Sequence, residues 1–253
     1  MDMSLTARLH RFAAARFSPR EEFGLHLTAG VIVLLLAMAG FARIADAVVA
    51  GAPITALDVQ LANWLNAHAH AHAFLRGFLL VVTQVHSTPG MLGLTAVAAW
   101  WLVRRDARHW VPALVAAVPG GMLLNVGMKH SFERARPHFV EPIVSLGTYS
   151  FPSGHTVAAT LLYGFLACYL VGHVRGRARQ AAIVAAACAM VALVAGSRLY
   201  LGAHYLTDVL AATLEGCAWL AVCVTATATL RRRQRARRAR ASSTEPSFDN
   251  EES

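Results

Sequence analysis

Long blocks with few or no charged residues decide what this 253-residue chain can fold into. They cover residues 23–41, 110–128, 156–171, 180–196 and 205–230, and a shorter one covers 90–103. A bilayer span takes roughly 17–25 apolar residues. Hydrophobic residues make up 56% of the chain and charged residues only 15%, more apolar surface than one water-soluble core can hide. These blocks therefore predict spans. Another apolar run, 74–85, is cut off from 90–103 by His86-Ser87-Thr88-Pro89-Gly90 and is too short to span, so it reads as an interfacial or re-entrant helix.

Charge sets the topology. Basic residues concentrate in cytoplasmic loops. Six spans with the N-terminus inside put 17 of the 23 Lys and Arg residues on the cytoplasmic side, and leave Arg43, Arg76, Lys129, Arg134, Arg136 and Arg198 outside. A seventh span would set Arg8, Arg11, Arg16 and Arg20 opposite the basic tail. The expected fold is all-α: a polytopic six-transmembrane-helix bundle with an interfacial outer helical segment. Residues 1–22 form a basic cytoplasmic N-terminus, 23–230 the membrane domain, and 231–253 a cytoplasmic tail, basic then acidic, expected to be disordered. The block 23–41 is longer than the apolar core of a cleaved signal and reads as a retained span.

The net charge of +9 comes largely from the Arg run after the last span. Such a run anchors topology and attracts anionic lipid headgroups. No folded reader domain accompanies it, so nucleic acid is not an expected partner. Cys168, Cys188, Cys217 and Cys223 all fall inside predicted spans and read as small apolar residues.

Six outer cations are few, and each needs a reason. Snorkelling to headgroups suffices for Arg43 and Arg76. The rest lie in two of three short stretches at the outer ends of spans. The first is Lys129-His130-Ser131-Phe132-Glu133-Arg134-Ala135-Arg136-Pro137, and it holds the only lysine in the chain. The second, Tyr149 to His155, runs into an apolar helix. There Ser153 is a candidate N-cap, Gly154 lets the backbone approach a ligand, and free amides favour an anion. The third is Ser197 to Asp208. His204 and Asp208 stand four apart, so on a helix they share a face and can hydrogen-bond. A carboxylate on one ring nitrogen fixes the tautomer and frees the other as a nucleophile. Asp208 also lies at the start of a span, where a carboxylate needs a partner. Glu215, seven residues on, lines the cavity or pairs with an Arg. His155 and His204 are separated by two crossings and a short turn, so the three stretches can meet at one face.

Lys129-(six residues)-Arg136-Pro137, Pro152-Ser153-Gly154-His155 and Ser197-Arg198-(five residues)-His204-(three residues)-Asp208 resemble, in order and spacing, the three signature motifs of the type 2 phosphatidic acid phosphatase superfamily. The resemblance covers about residues 20–230. It implies a metal-independent lipid phosphatase without a cofactor, similar to bacterial enzymes acting on undecaprenyl diphosphate, phosphatidic acid or phosphatidylglycerol phosphate. His204 would attack phosphorus and form a phosphohistidine, oriented by Asp208. His155 would protonate the leaving oxygen, then activate water. Lys129, Arg136, Ser153, Gly154 and Arg198 would hold the phosphoryl oxygens. Localisation in the inner cell membrane with an outward-facing site follows from the same layout. A lipid phosphotransferase, or a non-catalytic lipid-binding or transport protein, is the alternative.

His68, His70 and His72 alternate with Ala. His68 and His72 could share a metal on a helix, but no third ligand stands nearby in sequence, and a polar interfacial segment is the simpler account. Asp58, Trp64 and Leu65 fit the same interfacial helix.

Overall fold

The computed structural model of the chain describes residues 25–242, and among them it contains helices, turns and loops but no strand. The basic segment 1–22 and the acidic end of the tail from 243 onward lie outside the described residues. Helix α1 runs Leu25–Val49, α2 Ile54–Ala71, α3 Ala73–Val85 and α4 Thr88–Arg104. After a 3₁₀ turn at Arg108–Trp110, α5 covers Val111–Phe132. Three more helices follow: α6 Gly154–Val171, α7 Arg177–Tyr200 and α8 Leu206–Ser242.

Local chemistry explains several of the boundaries. Pro89 and Pro112 sit in the first turns of α4 and α5, where a missing N–H costs nothing. Glu133 ends α5 in a left-handed conformation (φ 47°). Pro119 lies inside α5, a position that membrane helices tolerate because neighbouring groups satisfy the freed backbone.

Among the described residues, five helical stretches are long and apolar enough to cross a bilayer: Leu27–Val49, Arg108–Phe132, Gly154–Val171, Arg177–Tyr200 and Leu206–Gln234. The protein is an all-α integral membrane protein. The helix expected at 90–103 forms as α4, but its 17 residues reach only about 25 Å at 1.5 Å per residue, short of a hydrocarbon core of about 30 Å. α3, with 13 residues, is shorter still. Two elements run beyond their expected ends. α1 continues past Phe41 through Arg43 to Val49. α8 continues through the Arg run to Ser242, because Arg, Ala and Gln are strong helix formers; the first part of the tail expected to be disordered is therefore helical. At its start Arg231 stacks on Trp110, 3.7 Å from the ring centroid.

α6 is the central element, packed on α4, α5, α7 and α8. Ten of its 18 residues are buried, which suits a helix apolar on all faces. α1 lies along α8 and turns Leu35 and Leu36 outward, toward lipid. The four cysteines are free, with Cys223 buried. Between apolar helices in lipid, close approach depends on small residues. A Cβ at Gly121 would stand 2.3 Å from Leu161 Cδ1 and 2.8 Å from Trp219 Cδ1; one at Gly216 would meet Thr160 at 2.8 Å. The α5–α6–α8 contact thus brings the end of α5, the start of α6 and the start of α8 to one end of the bundle, joined there by the end of α7.

Gly121→Val is expected to destabilise the protein by about 1–3 kcal/mol through overpacking, read as a lowered thermal midpoint in detergent. An unchanged midpoint would mean that α5 and α8 can separate freely.

Candidate active site

The site is built on the α7–α8 corner. α7 ends at Tyr200, and Gly202 turns the chain with φ +67°, where a Cβ would also collide with Phe139 at 2.6 Å. His204 lies in this turn, not on a helix as the four-residue spacing suggested; α8 begins only at Leu206. Asp208 occupies the first turn of α8 and reaches back to accept the Tyr205 N–H at 2.9 Å. That is the carboxylate half of a capping box, placed where the helix dipole favours negative charge. The same Oδ2 accepts from Ser150 Oγ and faces His204 Nδ1 at 3.4 Å. Oδ1 accepts from Arg134 Nη1 at 2.5 Å.

His204 is 2% exposed. Its Nδ1 faces Asp208, and its Nε2 lies 3.2 Å from Arg136 Nη1, which can only donate. The network therefore assigns the proton to Nδ1 and the lone pair to Nε2. Burial is the largest influence on this ring and favours the neutral form; Asp208 opposes it, and Arg136 and Arg198 reinforce it. The pKa is pushed down to about 3. The imidazole is thus uncharged, with its lone-pair nitrogen turned toward a guanidinium.

Arg136 is held in place by carbonyls: Thr148 O at 2.6 Å from Nε, Ala203 O at 2.6 Å from Nη1, and Tyr149 O at 3.2 Å from Nη2. Burial lowers its pKa from the usual guanidinium value. Lys129, near the end of α5, donates to the same Tyr149 carbonyl at 2.7 Å. Arg198 is 2% exposed; it donates to Thr83 Oγ1 on α3, and its Nε has no protein partner. Lys129 feels the charge of both Arg136 and Arg198. Cations gathered this closely form a cradle for an anion.

The start of α6 closes the cradle. Ser153 occupies the N-cap position, as expected, but its side chain makes no capping bond. Its hydroxyl is fully buried and accepts from Thr156 Oγ1 at 3.1 Å, which leaves its own proton to donate. Its amide donates to Asp208 O at 3.2 Å, tying α6 to α8. A Cβ on Gly154 would sit 3.1 Å from Asn125 Oδ1 and 3.8 Å from Lys129 Cε, so glycine is what lets the helix start approach the lysine. His155 interacts with Arg198, His204, His86 and the Thr83 backbone. The structure therefore gathers Lys129, Arg136, Ser153, Gly154, His155, Arg198, His204 and Asp208 at one end of the bundle.

Several participants were not legible as such. Asp58, expected on an interfacial helix, is 1% exposed. It pairs with Arg134 at 2.8 Å and accepts from the Thr207 amide at 3.0 Å and its hydroxyl at 2.5 Å. Arg134 thus bridges Asp58 and Asp208 and lies 4.3 Å from the Tyr205 ring centroid. A second arginine two residues before Arg136 was the available signal. Glu215 does not pair with an arginine; its Oε2 accepts from Asn125 Nδ2 at 3.0 Å. The alternating histidines at the end of α2 serve backbone carbonyls: His68 Nδ1 lies 2.8 Å from Trp64 O, His72 Nδ1 2.9 Å from His68 O, and His70 Nε2 3.1 Å from Glu141 O.

Fold and site together define a polytopic helical membrane protein with a histidine–carboxylate pair set in a cationic cradle. Residues 110–232 match the PAP2 superfamily model. The chain is 40% identical over 105 residues to phosphatidylglycerophosphatase B of Bacillus subtilis, a match covering 41% of this chain and about half (51%) of that protein. It also superposes on the crystal structure of a transmembrane PAP2-type phosphatidylglycerolphosphate phosphatase from Bacillus subtilis. That match has a TM-score of 0.67 and 25% identity, and covers 75% of this chain and 93% of the other. Over residues 110–232 by sequence, and by fold, the chain resembles the PAP2 superfamily.

His204 is expected to stay neutral down to about pH 4, while exposed histidines titrate near 6.5. Histidine ¹⁵N NMR in detergent, with His204→Gln to assign the resonance, reads this directly. An unfolded chain takes up that proton near pH 6.5. The residue's contribution to stability is therefore complete above 6.5 and is lost as pH falls toward the folded value. A His204 ring that titrates near 6.5 would contradict the burial described.

Proposed function

We propose that the protein is a phosphatase acting on lipid phosphates through a phosphohistidine. The observation that carries this reading is His204 backed by Asp208, with its Nε2 lone pair turned toward Arg136. In the first step Nε2 attacks phosphorus, the N–P bond forms and the P–O bond to the lipid breaks. His155 delivers its proton to the departing lipid oxygen. In the second step neutral His155 takes a proton from water, the water oxygen attacks phosphorus, the N–P bond breaks and inorganic phosphate leaves. Asp208 stabilises the charge that His204 gains at each transfer. Lys129, Arg136 and Arg198, with the Ser153 hydroxyl and the Gly154 amide, stabilise the equatorial oxygens, the main task in phosphoryl transfer. Asp58 and Arg134 act as positioning residues behind Asp208.

Phosphatidylglycerol phosphate is the substrate to favour over undecaprenyl diphosphate and phosphatidic acid, because both similar proteins named above carry that activity in their names. The layout we propose has six spans, with α4 as the short one, both termini in the cytoplasm and the site on the outer face of the cell membrane. The basic end of α8 would then meet anionic lipid on the inner face.

Purified protein is expected to release phosphate from phosphatidylglycerol phosphate in excess chelator, and to trap ³²P on His204. His204→Ala is expected to lower turnover by on the order of 10³-fold or more. A strict need for added divalent metal, or label on another residue, would sink the mechanism. Asp58→Ala is expected to lower kcat by roughly 10–100-fold with little change in KM, by analogy with other groups that orient a reacting residue; a pure KM effect would remove Asp58 from the positioning role.

A further inference from the structure

Beside the cationic cradle, a cavity of about 380 Å³ opens on the flank of the bundle between α1, α5 and α8. Met38, Phe41, Leu124, Met128 and Trp219 form much of its wall. Met38 and Leu124 are exposed, so the cavity communicates with the surrounding bilayer. Toward the outer end, Phe41 joins an aromatic cluster with Phe132 and Phe151, with ring centroids 4.9–6.1 Å apart. A molecule entering the cavity would come from lipid, not from water.

One residue in this lining is ionisable. Glu215 is 6% exposed; Oε2 accepts from Asn125, and the buried Oε1 has no protein donor. It lies nine residues into α8 from Leu206, about 13 Å along the axis. An ionisable group at such depth without a full set of partners marks a site.

The chemistry of the missing donor can be narrowed. Lys129 already supplies a positive charge that acts on Glu215, so a second cation would meet repulsion. An anionic headgroup would face the carboxylate. An apolar chain bearing a neutral hydroxyl fits both the wall and the oxygen. We propose that this cavity binds a lipid alcohol, its chain against Met38, Leu124 and Trp219 and its hydroxyl donating to Glu215. Lipid alcohols are also what dephosphorylation of a simple lipid phosphate releases; the binding proposal stands apart from that reading and is tested without turnover.

Trp219 provides the readout. Full-length protein in detergent is titrated with a brominated long-chain alcohol, and the quenching lost in Trp219→Phe is taken as the signal from this cavity. The methyl ether of the same alcohol, which cannot donate, is the comparison. The alcohol is expected to half-saturate the signal at a concentration about tenfold or more below the ether, as one buried hydrogen bond to a carboxyl group predicts. Glu215→Leu is expected to abolish that preference, and Glu215→Gln, which keeps an acceptor oxygen, to retain part of it. Equal binding of alcohol and ether by the wild-type protein would overturn the proposal, and so would a preference that survives Glu215→Leu. The comparison on wild-type protein decides even if the leucine variant does not fold. Phosphate release enters none of these measurements, so failure of the enzymatic reading would leave this one standing.

Discussion

A carboxylate in the first turn of a membrane helix is expensive, and the way Asp208 is satisfied organises the site end of the molecule. Its donors come from different parts of the chain: Tyr205 on its own corner, Ser150 from the long loop, Arg134 from just beyond α5, and His204 from the turn. Each of these draws in another element. Arg134 brings Asp58 and therefore α2; Ser150 brings the loop that ends at α6. Removing one partner from such a buried ionic cluster leaves a charge uncompensated, which typically costs about 3–5 kcal/mol. The chemistry and the docking of the outer elements therefore rest on the same hydrogen bonds.

Much of this was legible in the sequence because bilayers enforce simple rules. Long uncharged blocks had to become helices, since nothing else satisfies a backbone in hydrocarbon. Lys129, Arg136, His155, Arg198 and Asp208 were visible because polar residues at the ends of such blocks need a purpose. What was hidden depended on tertiary direction. The spacing of His204 and Asp208 suggested one helical face, whereas Gly202 breaks the chain and leaves the histidine in a turn. Asp58 looked interfacial because it precedes the aromatic anchor Trp64 and the alternating histidines; only the packing of α2 on α8 reveals an inward carboxylate. The α8 extension through the arginines follows helix propensity, which the charge pattern obscured.

Glu215 shows where motif reasoning ends. Nothing in the three signature stretches requires an acid seven residues beyond Asp208, and its neighbours in the cavity wall are apolar. Through Asn125 it nonetheless touches the structure around Gly154, since the Asn125 amide also approaches Pro152 O at 3.5 Å. The cationic cradle and the lipid-facing flank thus share one side chain between them.

Lys129 and Arg136 both donate to the carbonyl of Tyr149. That oxygen occupies, in miniature, the role of an anion: it gives the two cations something to hold and keeps them from drifting apart. On the proposed function, a phosphate arriving between them would compete with the chain's own carbonyl, so its affinity would be the difference between two sets of bonds, not the sum of one. Weak retention of inorganic phosphate would then follow, because the loop is always present to take the cations back.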